Sequence, residues 1–256
     1  MIDNIKPKKS LGQNFLKNKY TINTIVDILE LQKDECILEI GPGQGALTEF
    51  LIKKTKNYIG IEKDKNLCVL LEKKFQNINI INKDILSVDF NSFFNKKIRI
   101  IGNIPYNIST KLLLKCLEKR DNIKRIDFMM QKEFVERIIS EHGNKSYGRL
   151  SVLIQLFFKA EKYIDISPAD FFPEPKIYSS FMSLIPINNK IIKKHEINDF
   201  LDFVKKIFNT RRKKIKNCIN INSNILYDNI DKRAEELSIL EMINLFREIK
   251  KNGKLI

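Results

Sequence analysis

The sequence predicts an α/β fold built on a mostly parallel sheet, followed by a small all-helical region. Short β-branched runs alternate with amphipathic segments of helical period from Cys36 to about Ile187. Pro186 to Lys190 is the best candidate boundary, because the β-branched runs stop there and the pattern becomes helical. A chain of 256 residues can bury a substantial core without disulfides. We therefore expect two domains, residues 1–187 and 188–256.

The composition favours a polyanionic partner. Hydrophobic residues make up 43% and charged residues 30%, which is typical of a soluble globular protein. The net charge of +15 suits nucleic acid or an anionic membrane surface, although a bias towards Lys, Asn and Ile codons could supply part of it. The sequence shows no apolar run that would span a bilayer and no signal peptide, so we expect a cytoplasmic protein. Its four cysteines are scattered and it has only two histidines, so we expect neither disulfides nor a metal site.

A glycine-rich turn between a strand and a helix predicts a cofactor site. The segment Cys36–Gly45 is a strand that runs into this turn, and Ala46 to Lys54 continues as a helix. Gly41, Gly43 and Gly45 would let the backbone bend sharply and approach a ligand closely. The next strand ends on Glu62, 21 residues after Gly41, where an acidic side chain holds ribose hydroxyls in dinucleotide folds. These features indicate an adenosine-containing cofactor; a purely structural turn is the alternative.

Two details favour S-adenosylmethionine over NAD as this cofactor. The glycine spacing is G-x-G-x-G with Pro42 inside the turn, whereas NAD sites carry G-x-G-x-x-G. Glu39, on the strand before the turn, suits a ligand with a cationic amino-acid part better than a pyrophosphate. Asp84 follows the third strand and is expected to accept a hydrogen bond from the adenine amino group; an Asx turn or an N-cap is the alternative.

The stretch Gly102 to Thr110 follows the fourth strand and predicts the catalytic site. Pro105 fixes its own φ and pushes Ile104 into an extended conformation, which holds the Asn103 side chain and the Ile104 carbonyl in a fixed relation. Tyr106 adds a flat apolar face. Two acceptors beside an aromatic ring suit a planar base with an exocyclic NH2 group. The simpler interpretation is a proline turn with a packed tyrosine.

The other predicted elements connect these motifs. A polar segment, Ser10 to Leu16, precedes the first helix, and a stiff loop with two aromatic rings covers 171–176. Ser238 and Glu241 form a capping box that opens the last helix, which runs toward Gly253. The further helices are predicted at 20–31, 64–75, 109–117, 132–139 and 150–158, and the further strands at 58–61, 78–81, 97–101 and 126–131, with a closing antiparallel pair at 163–166 and 179–187.

Six segments in the right order resemble the small-subunit ribosomal RNA adenine dimethyltransferases. They are Leu11–Leu16, Glu39–Thr48, Gly102–Thr110, Gln131–Glu133, Tyr147–Val152 and Phe171–Lys176, with Arg211–Lys213 beyond them. The resemblance implies a Rossmann-like class I S-adenosylmethionine-dependent methyltransferase sheet with a helical RNA-binding domain. It also implies dimethylation of two adjacent adenosines near the 3′ end of small-subunit rRNA, within an immature subunit, and a role in subunit biogenesis.

The resemblance also implies roles for individual residues. The N-terminal segment 1–18 would help bind the methyl donor through Asn14 and Leu16, with Gly41 lining the turn. Glu62 would bind the ribose hydroxyls and Asp84 would bind the adenine amine, while Asn103 would lie between the donor and the target base. The phenylalanine of the family's FxPxP motif falls on Phe171, and Phe172 departs from relatives, so either ring could stack on the target base. The expected cofactor-binding residues are Asn14, Leu16, Glu39, Gly41, Gly43, Gly45, Glu62, Asp84 and Asn103; the expected catalytic residues are Asn103, Ile104, Pro105, Tyr106 and Phe171.

Basic residues are the candidates for phosphate contacts, although a charge run is more often a solvated helix face. They are Lys145, Arg149, Arg211, Arg212, Lys213 and Lys214. We expect a monomer. One rival interpretation is a non-catalytic ribosome assembly or transcription factor that uses the methyltransferase fold only to bind RNA. The others are a large-subunit rRNA methyltransferase and an NAD-dependent reductase. The reductase is disfavoured because the sequence has no Tyr-x-x-x-Lys pair near the predicted site.

Overall fold

The structure is a computed structural model that describes residues 6–90, 93–188, 190–219 and 228–252. The predicted cofactor-binding segment 1–18 is thus described from Lys6 onward, and Gly253 lies outside the described residues. The chain forms two compact units. The first runs through Val135 and includes Ala160–Pro186, and the second contains Glu136–Lys159 and the part from Ile187 onward.

Nine strands and eight α-helices make up the described fold. The strands are β1 (Phe15–Leu16), β2 (Cys36–Ile40), β3 (Tyr58–Glu62), β4 (Ile80–Asn82), β5 (Ile98–Asn103), β6 (Ile123–Gln131), β7 (Phe158–Ile166), β8 (Phe171–Phe172) and β9 (Ser179–Pro186). The helices are α1 (Lys19–Leu29), α2 (Thr48–Lys54), α3 (Lys65–Lys74), α4 (Ser109–Glu118), α5 (Lys132–Ile139), α6 (Arg149–Phe157), α7 (Ile197–Asn209) and α8 (Ile239–Lys251).

A seven-stranded sheet places the predicted motifs together at the carboxyl ends of its parallel strands. Its strand order is β4-β3-β2-β5-β6-β9-β7. Pairs from β4 through β6 are parallel, and β9 is antiparallel to β6. Every residue of β2 and β3 is buried, including Glu39 and Glu62, which agrees with their mainly apolar sequences. The carboxyl ends of β2, β3 and β5 carry the glycine turn, Glu62 and Asn103, so the topology brings the three motifs together.

Several boundaries differ from the sequence prediction for local reasons. Helix α2 begins at Thr48 instead of Ala46, because the turn continues with Gly45 at φ 82°. Strand β7 begins at Phe158 instead of Tyr163, directly after helix α6. The two-stranded sheet of β1 and β8 was not predicted, since two residues are too short to show a period.

The second unit contains α6, α7 and α8. Phe200 and Phe203 of α7 pack against Phe246 of α8, with ring centroids 5.6 and 5.9 Å apart. The capping box at Ser238 is confirmed, because its Oγ accepts from the Glu241 amide at 3.2 Å and the Glu241 carboxylate accepts from the Ser238 amide at 2.8 Å. This unit also includes Glu136–Lys159, which the division at 187 assigns to the first domain; that division stays a prediction.

Within the described ranges, the helices are all too short or too polar to cross a bilayer. The same ranges contain no cluster of three or more His, Cys, Asp or Glu side chains that could hold a metal ion.

Candidate active site

A cleft at the carboxyl edge of the sheet gathers most of the predicted site residues of the first unit. Its lining comes from the ends of β2, β3 and β5, from the segment Ser10–Leu16 and from the turn after β4. Two predicted residues, Gly45 and Phe171, are outside the lining. The predicted residues that line it are Asn14, Leu16, Glu39, Gly41, Gly43, Glu62, Asp84, Asn103, Ile104, Pro105 and Tyr106.

The glycine turn leaves room at Gly41 and is filled at Gly45. Gly41 has φ 63°, and a Cβ placed there would meet only the Asn103 carbonyl within 4 Å, at 3.9 Å, so it would point into the cleft that this residue lines. A Cβ on Gly45 would lie 2.6 Å from the Phe75 ring and 3.0 Å from Leu71. Gly41 therefore makes space for a ligand, whereas Gly45 serves the packing of the turn on α3.

Glu62 is held rigidly at the end of β3. One carboxylate oxygen accepts from the Gly43 amide at 3.1 Å and the other from the Asp64 amide at 2.8 Å. Burial raises its pKa, against the lowering effect of these two backbone bonds. Because each carboxylate oxygen has a second lone pair, the side chain can still accept from a ligand hydroxyl.

Glu39 lines the cleft below the turn, but its side chain is almost fully buried. Its Oε2 accepts from the Tyr58 hydroxyl at 2.5 Å and the Thr48 hydroxyl at 2.7 Å, which ties β2 to β3 and to the start of α2. Burial raises its pKa to about 7, although these two hydrogen bonds oppose the shift. Its predicted contact with a cationic amino-acid end stays a prediction.

Asp84 has the N-cap role that its position suggested, and its contact with adenine stays a prediction. Its Oδ1 accepts from the Leu86 amide at 2.9 Å, as an N-cap, and its Oδ2 pairs with Lys63 at 2.9 Å. Burial raises the pKa of Asp84, but the Leu86 and Lys63 bonds outweigh it, so the net shift is downward. The carboxylate lines the cleft, and the predicted bond to an adenine amine is compatible with these contacts.

The Asn103 amide is oriented by a partner that the sequence did not reveal. Its Nδ2 donates to the backbone carbonyl of Asn14 at 2.8 Å. This bond settles which end of the amide is nitrogen, because only the nitrogen can donate to a carbonyl. The remaining Oδ1 is an acceptor in a residue that lines the cleft.

The turn that follows Asn103 is anchored on both sides. The Ile104 amide donates to the Met129 carbonyl at 2.9 Å, and the Ile108 amide donates to the Pro105 carbonyl at 3.1 Å. The Tyr106 hydroxyl lies 3.0 Å from Ser179 Oγ, and burial raises the pKa of this phenol, so it is neutral at ordinary pH. The acceptors and the ring therefore have a fixed relation, as the sequence suggested.

The two candidate stacking rings have opposite environments. Phe171 is 1% exposed and packs in the core with Leu16 and Phe181. Phe172 is 57% exposed and lies opposite Phe15 in the β1–β8 pair. The buried position of Phe171 does not support its expected role as the stacking ring, because alternate residues of a strand face opposite sides and this one faces the core. Phe172 is the ring of the two that a base can reach.

A strap formed by residues 8–14 crosses to the start of α3 and is held by Asp64. The buried carboxylate accepts from Lys8 Nζ at 2.8 Å and from Gln13 Nε2 at 3.0 Å, and Gln13 Oε1 accepts from the Lys8 amide at 2.7 Å. Burial raises the pKa of Asp64, but the Lys8 and Gln13 bonds outweigh it and the net shift is downward. The strap carries Asn14, so Asp64 and Asn103 are its two anchors. Sequence reasoning missed this role, because the contacts span more than 50 positions.

Asp64→Asn is expected to loosen this strap. The substitution keeps the shape of the side chain but removes the negative charge that pairs with Lys8. Because Lys8 is partly exposed, we expect the loss of this pair to destabilise the strap by about 1 kcal/mol. Amide hydrogen exchange of residues 8–14 should accelerate about five-fold. Glu49→Gln, which removes an exposed pair with Lys53, is the control and should leave their exchange unchanged. Equal exchange in both variants would show that Asp64 does not anchor the strap.

The basic candidates belong to the second unit and divide into two groups. Arg211 Nε pairs with Glu235 at 2.5 Å, and its Nη2 donates to the Lys145 carbonyl, so this guanidinium joins parts of its own unit. Lys214 pairs with Asp231 at 3.5 Å. Lys145, Arg149, Arg212 and Lys213 have exposed side chains.

The fold and the cleft define the class of this protein. A dimethyladenosine transferase from Plasmodium falciparum has a similar structure, with a TM-score of 0.80, 24% identity and coverage of 93% of this chain and 98% of that one. The 23S rRNA methyltransferase ErmE is also similar, with a TM-score of 0.69, 23% identity and coverage of 93% and 100%. The fold is that of the class I S-adenosylmethionine-dependent methyltransferases, as predicted.

Sequence comparison identifies the family. Residues 4–251 match the family described as "Ribosomal RNA adenine dimethylase". The proteins named "Ribosomal RNA small subunit methyltransferase A" from Francisella tularensis subsp. novicida and subsp. tularensis are each 39% identical over 253 residues, which cover 94% of this chain and 96% of theirs. The chain therefore belongs to the ribosomal RNA adenine dimethylase family and is an rRNA adenine dimethyltransferase, which confirms the resemblance.

Proposed function

We propose that this enzyme transfers methyl groups from S-adenosylmethionine to the exocyclic amines of two adjacent adenosines near the 3′ end of small-subunit rRNA. The substrate is the RNA within an immature small subunit in the cytoplasm, and the enzyme acts as a monomer with a role in subunit biogenesis. The observation that carries the proposal is the Asn103 amide, whose nitrogen is held by Asn14 so that its oxygen can accept from an amine. The 39% identical relatives support the choice of the small-subunit RNA.

The cleft fits S-adenosylmethionine. Gly41 leaves a space that a Cβ would fill, Glu62 can accept from ribose hydroxyls, and Asp84 can accept from an adenine amine. Acidic lining in a chain of net charge +15 suits a donor with cationic groups. The donor supplies an electrophilic methyl group on a sulfonium, and the protein supplies position and exclusion of water.

The protein's task is to make a poor nucleophile reactive. The amine of adenine is weakly nucleophilic because its lone pair is delocalised into the ring. Asn103 Oδ1 and the Ile104 carbonyl accept its two N–H bonds, which favours a pyramidal nitrogen with its lone pair directed at the donor methyl. The acceleration comes from positioning, and no side chain needs a shifted pKa.

Two methyl transfers impose a further requirement. Each transfer forms an N–C bond as the S–CH3 bond of the donor breaks, and the methylated amine releases one proton to solvent. After the first transfer the amine has one N–H left, so the site must work with a single hydrogen bond to one of the two acceptors. Asn103 is at the end of β5 and is only partly buried, which is compatible with room for a methyl group beside it.

The target base must leave its stack to reach this site. Tyr106 lines the cleft, and its hydroxyl bond to Ser179 fixes the ring as a stacking face. Phe172 is the exposed ring of the FxPxP segment and is the second stacking candidate. Each aromatic contact contributes about 1–3 kcal/mol, which offsets part of the cost of unstacking the base.

Arg212→Gln and Lys213→Gln are expected to weaken RNA binding through lost phosphate contacts. Each should reduce the slope of log affinity against log salt concentration by about 0.7 to 1, and the effect should be independent of RNA sequence. Titrations at several salt concentrations measure this slope. An unchanged slope in the double variant would show that these two side chains do not contact phosphates and belong to a solvated surface.

Arg211→Gln is the comparison for this experiment. Arg211 pairs with the Glu235 carboxylate and donates to the Lys145 carbonyl within its own unit. Its loss should therefore lower the melting temperature of the protein and leave the salt slope unchanged. A change in slope without a change in stability would assign Arg211 to the phosphate contacts as well.

Labelled donor and immature small subunits test the proposed function. We expect the label on two adjacent adenosines near the 3′ end of the small-subunit rRNA, mapped by mass spectrometry of nuclease fragments. Mature large subunits are the control and should remain unlabelled. Binding to immature subunits without any label would favour the non-catalytic assembly factor instead.

A further inference from the structure

Exposed aromatic rings are concentrated near one segment of the first unit. In the parts of this unit that the structure describes, the largely exposed aromatic side chains are Tyr20, Phe172 and Tyr178, and two of them bound the segment 172–178. Tyr178 is 52% exposed, yet its backbone is fixed, because its carbonyl accepts from the Lys132 amide at 3.0 Å. One exposed ring is ordinary on a protein surface, so its position and its neighbours decide whether it has a role.

The topology places Tyr178 at the edge of the sheet that carries the active site. Strand β5 ends with Asn103, its neighbour β6 ends with Gln131, and Gln131 pairs with Ser179 at the start of β9. Because β9 is antiparallel to β6, its start lies at this same carboxyl edge. Tyr178 directly precedes Ser179, so it is two strand spacings, about 10 Å, from the line of β5.

Tyr178 is linked to Tyr106 through Ser179. Ser179 Oγ lies 3.0 Å from the Tyr106 hydroxyl, and Tyr106 lines the cleft. Tyr178 directly precedes this serine, and because adjacent residues of an extended chain face opposite sides, its ring lies on the other side of the chain from Tyr106.

Charge at this position also suits a nucleotide. Lys132 Nζ lies 5.9 Å from the centroid of the Tyr178 ring. The Asp165 carboxylate pairs with Lys132 at 2.8 Å and with Lys162 at 3.1 Å, so two lysines share this carboxylate. An exposed ring with a positive group beside it is the arrangement with which proteins hold single-stranded nucleic acid, by stacking on the base and attracting the phosphate.

We propose that Tyr178 and Lys132 form a subsite for the nucleotide adjacent to the target adenosine. The ring stacks on the neighbouring base, and the Lys132 ammonium group attracts its phosphate. These contacts separate the neighbouring base from the target adenine while the target enters the cleft. The inference rests on the proposed function and deepens it. The subsite acts on RNA affinity and not on the chemical step, because none of its groups reaches the amine.

The test measures binding of a synthetic RNA hairpin whose loop carries the two adjacent adenosines. Tyr178→Ala is expected to bind it about ten-fold more weakly, and Tyr178→Phe, which keeps the ring, should bind within two-fold of the parent protein. Val69→Ala removes a 42% exposed apolar side chain on α3 and is the control for exposed apolar area. All three should keep the parent melting temperature, since the substituted side chains are largely exposed.

A second hairpin with an abasic residue beside the target adenosine isolates the contact. If Tyr178 stacks on that base, the alanine variant and the parent protein should bind the abasic RNA equally. Equal binding of the intact hairpin by both proteins would overturn the subsite. A ten-fold loss that persists with the abasic RNA would also overturn it, because the ring would then act elsewhere.

Failure of the subsite and failure of the proposed function appear in different measurements. Binding is measured without donor, so the subsite succeeds or fails on affinity alone. Failure of the proposed function would instead appear as an absence of methyl transfer by the parent protein to immature subunits.

Discussion

Asn103→Ala is expected to abolish methyl transfer while the affinity for S-adenosylmethionine stays within a few-fold of the parent protein. The substitution removes the side-chain acceptor of the target amine, and one preorganised polar group of this kind is worth about 10²–10³ in rate. Donor binding survives because Gly41, Glu62 and Asp84 are untouched and because Asp64 still holds the strap through Lys8 and Gln13. Single-turnover rates with immature small subunits and donor calorimetry measure the two quantities.

Asn103→Asp gives a sharper test of the same geometry. The carboxylate has the shape of the amide, but it places an oxygen where Nδ2 now donates to the Asn14 carbonyl at 2.8 Å. Two acceptors would then face each other, so we expect slow transfer despite the retained oxygen. Turnover at the parent rate in either variant would remove Asn103 from the mechanism.

Arg99→Met is expected to lower the free energy of unfolding by about 3–5 kcal/mol, the usual cost of breaking a buried ion pair. Arg99 is 3% exposed, and its guanidinium pairs with Asp127 at 2.8 Å and with Glu35 at 3.1 Å. It also donates to the Leu29 carbonyl at 2.5 Å. The substitution removes one buried donor from each of these acceptors, and methionine cannot replace it. Asp127 keeps its pair with Arg125, and Glu35 keeps its pair with Lys124. For a domain of this size the melting temperature should fall by about 10 °C.

Lys53→Met is the matched control for this prediction. It removes a lysine of similar length whose pair with Glu49 is exposed, so we expect a change within about 0.5 kcal/mol. Chemical denaturation of both variants measures the difference. Similar small losses in the two variants would show that the Arg99 network does not stabilise the fold. Arg99 lies near the start of β5, away from Asn103 at its end, so the folded variant should retain methyl transfer.

The network itself illustrates what sequence reasoning cannot supply. Arg99 and Asp127 are 28 positions apart, and Arg99 and Glu35 are 64 apart. Each is one charge among many in a chain that is 30% charged. Nothing local distinguishes these residues from solvated ones, because their burial follows from strand pairing and from the packing of α1.

Local signals were sufficient where one short segment carries the whole feature. The glycine turn requires positive φ at Gly41, Gly43 and Gly45, and the structure has φ values of 63°, 61° and 82° there. Its residue types therefore revealed the turn. They did not reveal that Gly45 faces Phe75, since a glycine that packs and a glycine that makes space for a ligand have the same appearance in a sequence.

The sequence by itself determined the order of strands and helices, the motifs at the strand ends and the family, because each depends on residue type over a short span. Only the tertiary structure decided which groups meet: the Asn14 carbonyl that orients the Asn103 amide, the Asp64 carboxylate that holds the strap, and the burial of Phe171 beside an exposed Phe172. The physical reason is that hydrogen-bond direction and burial depend on groups far apart in the chain, which become neighbours only when the sheet has formed.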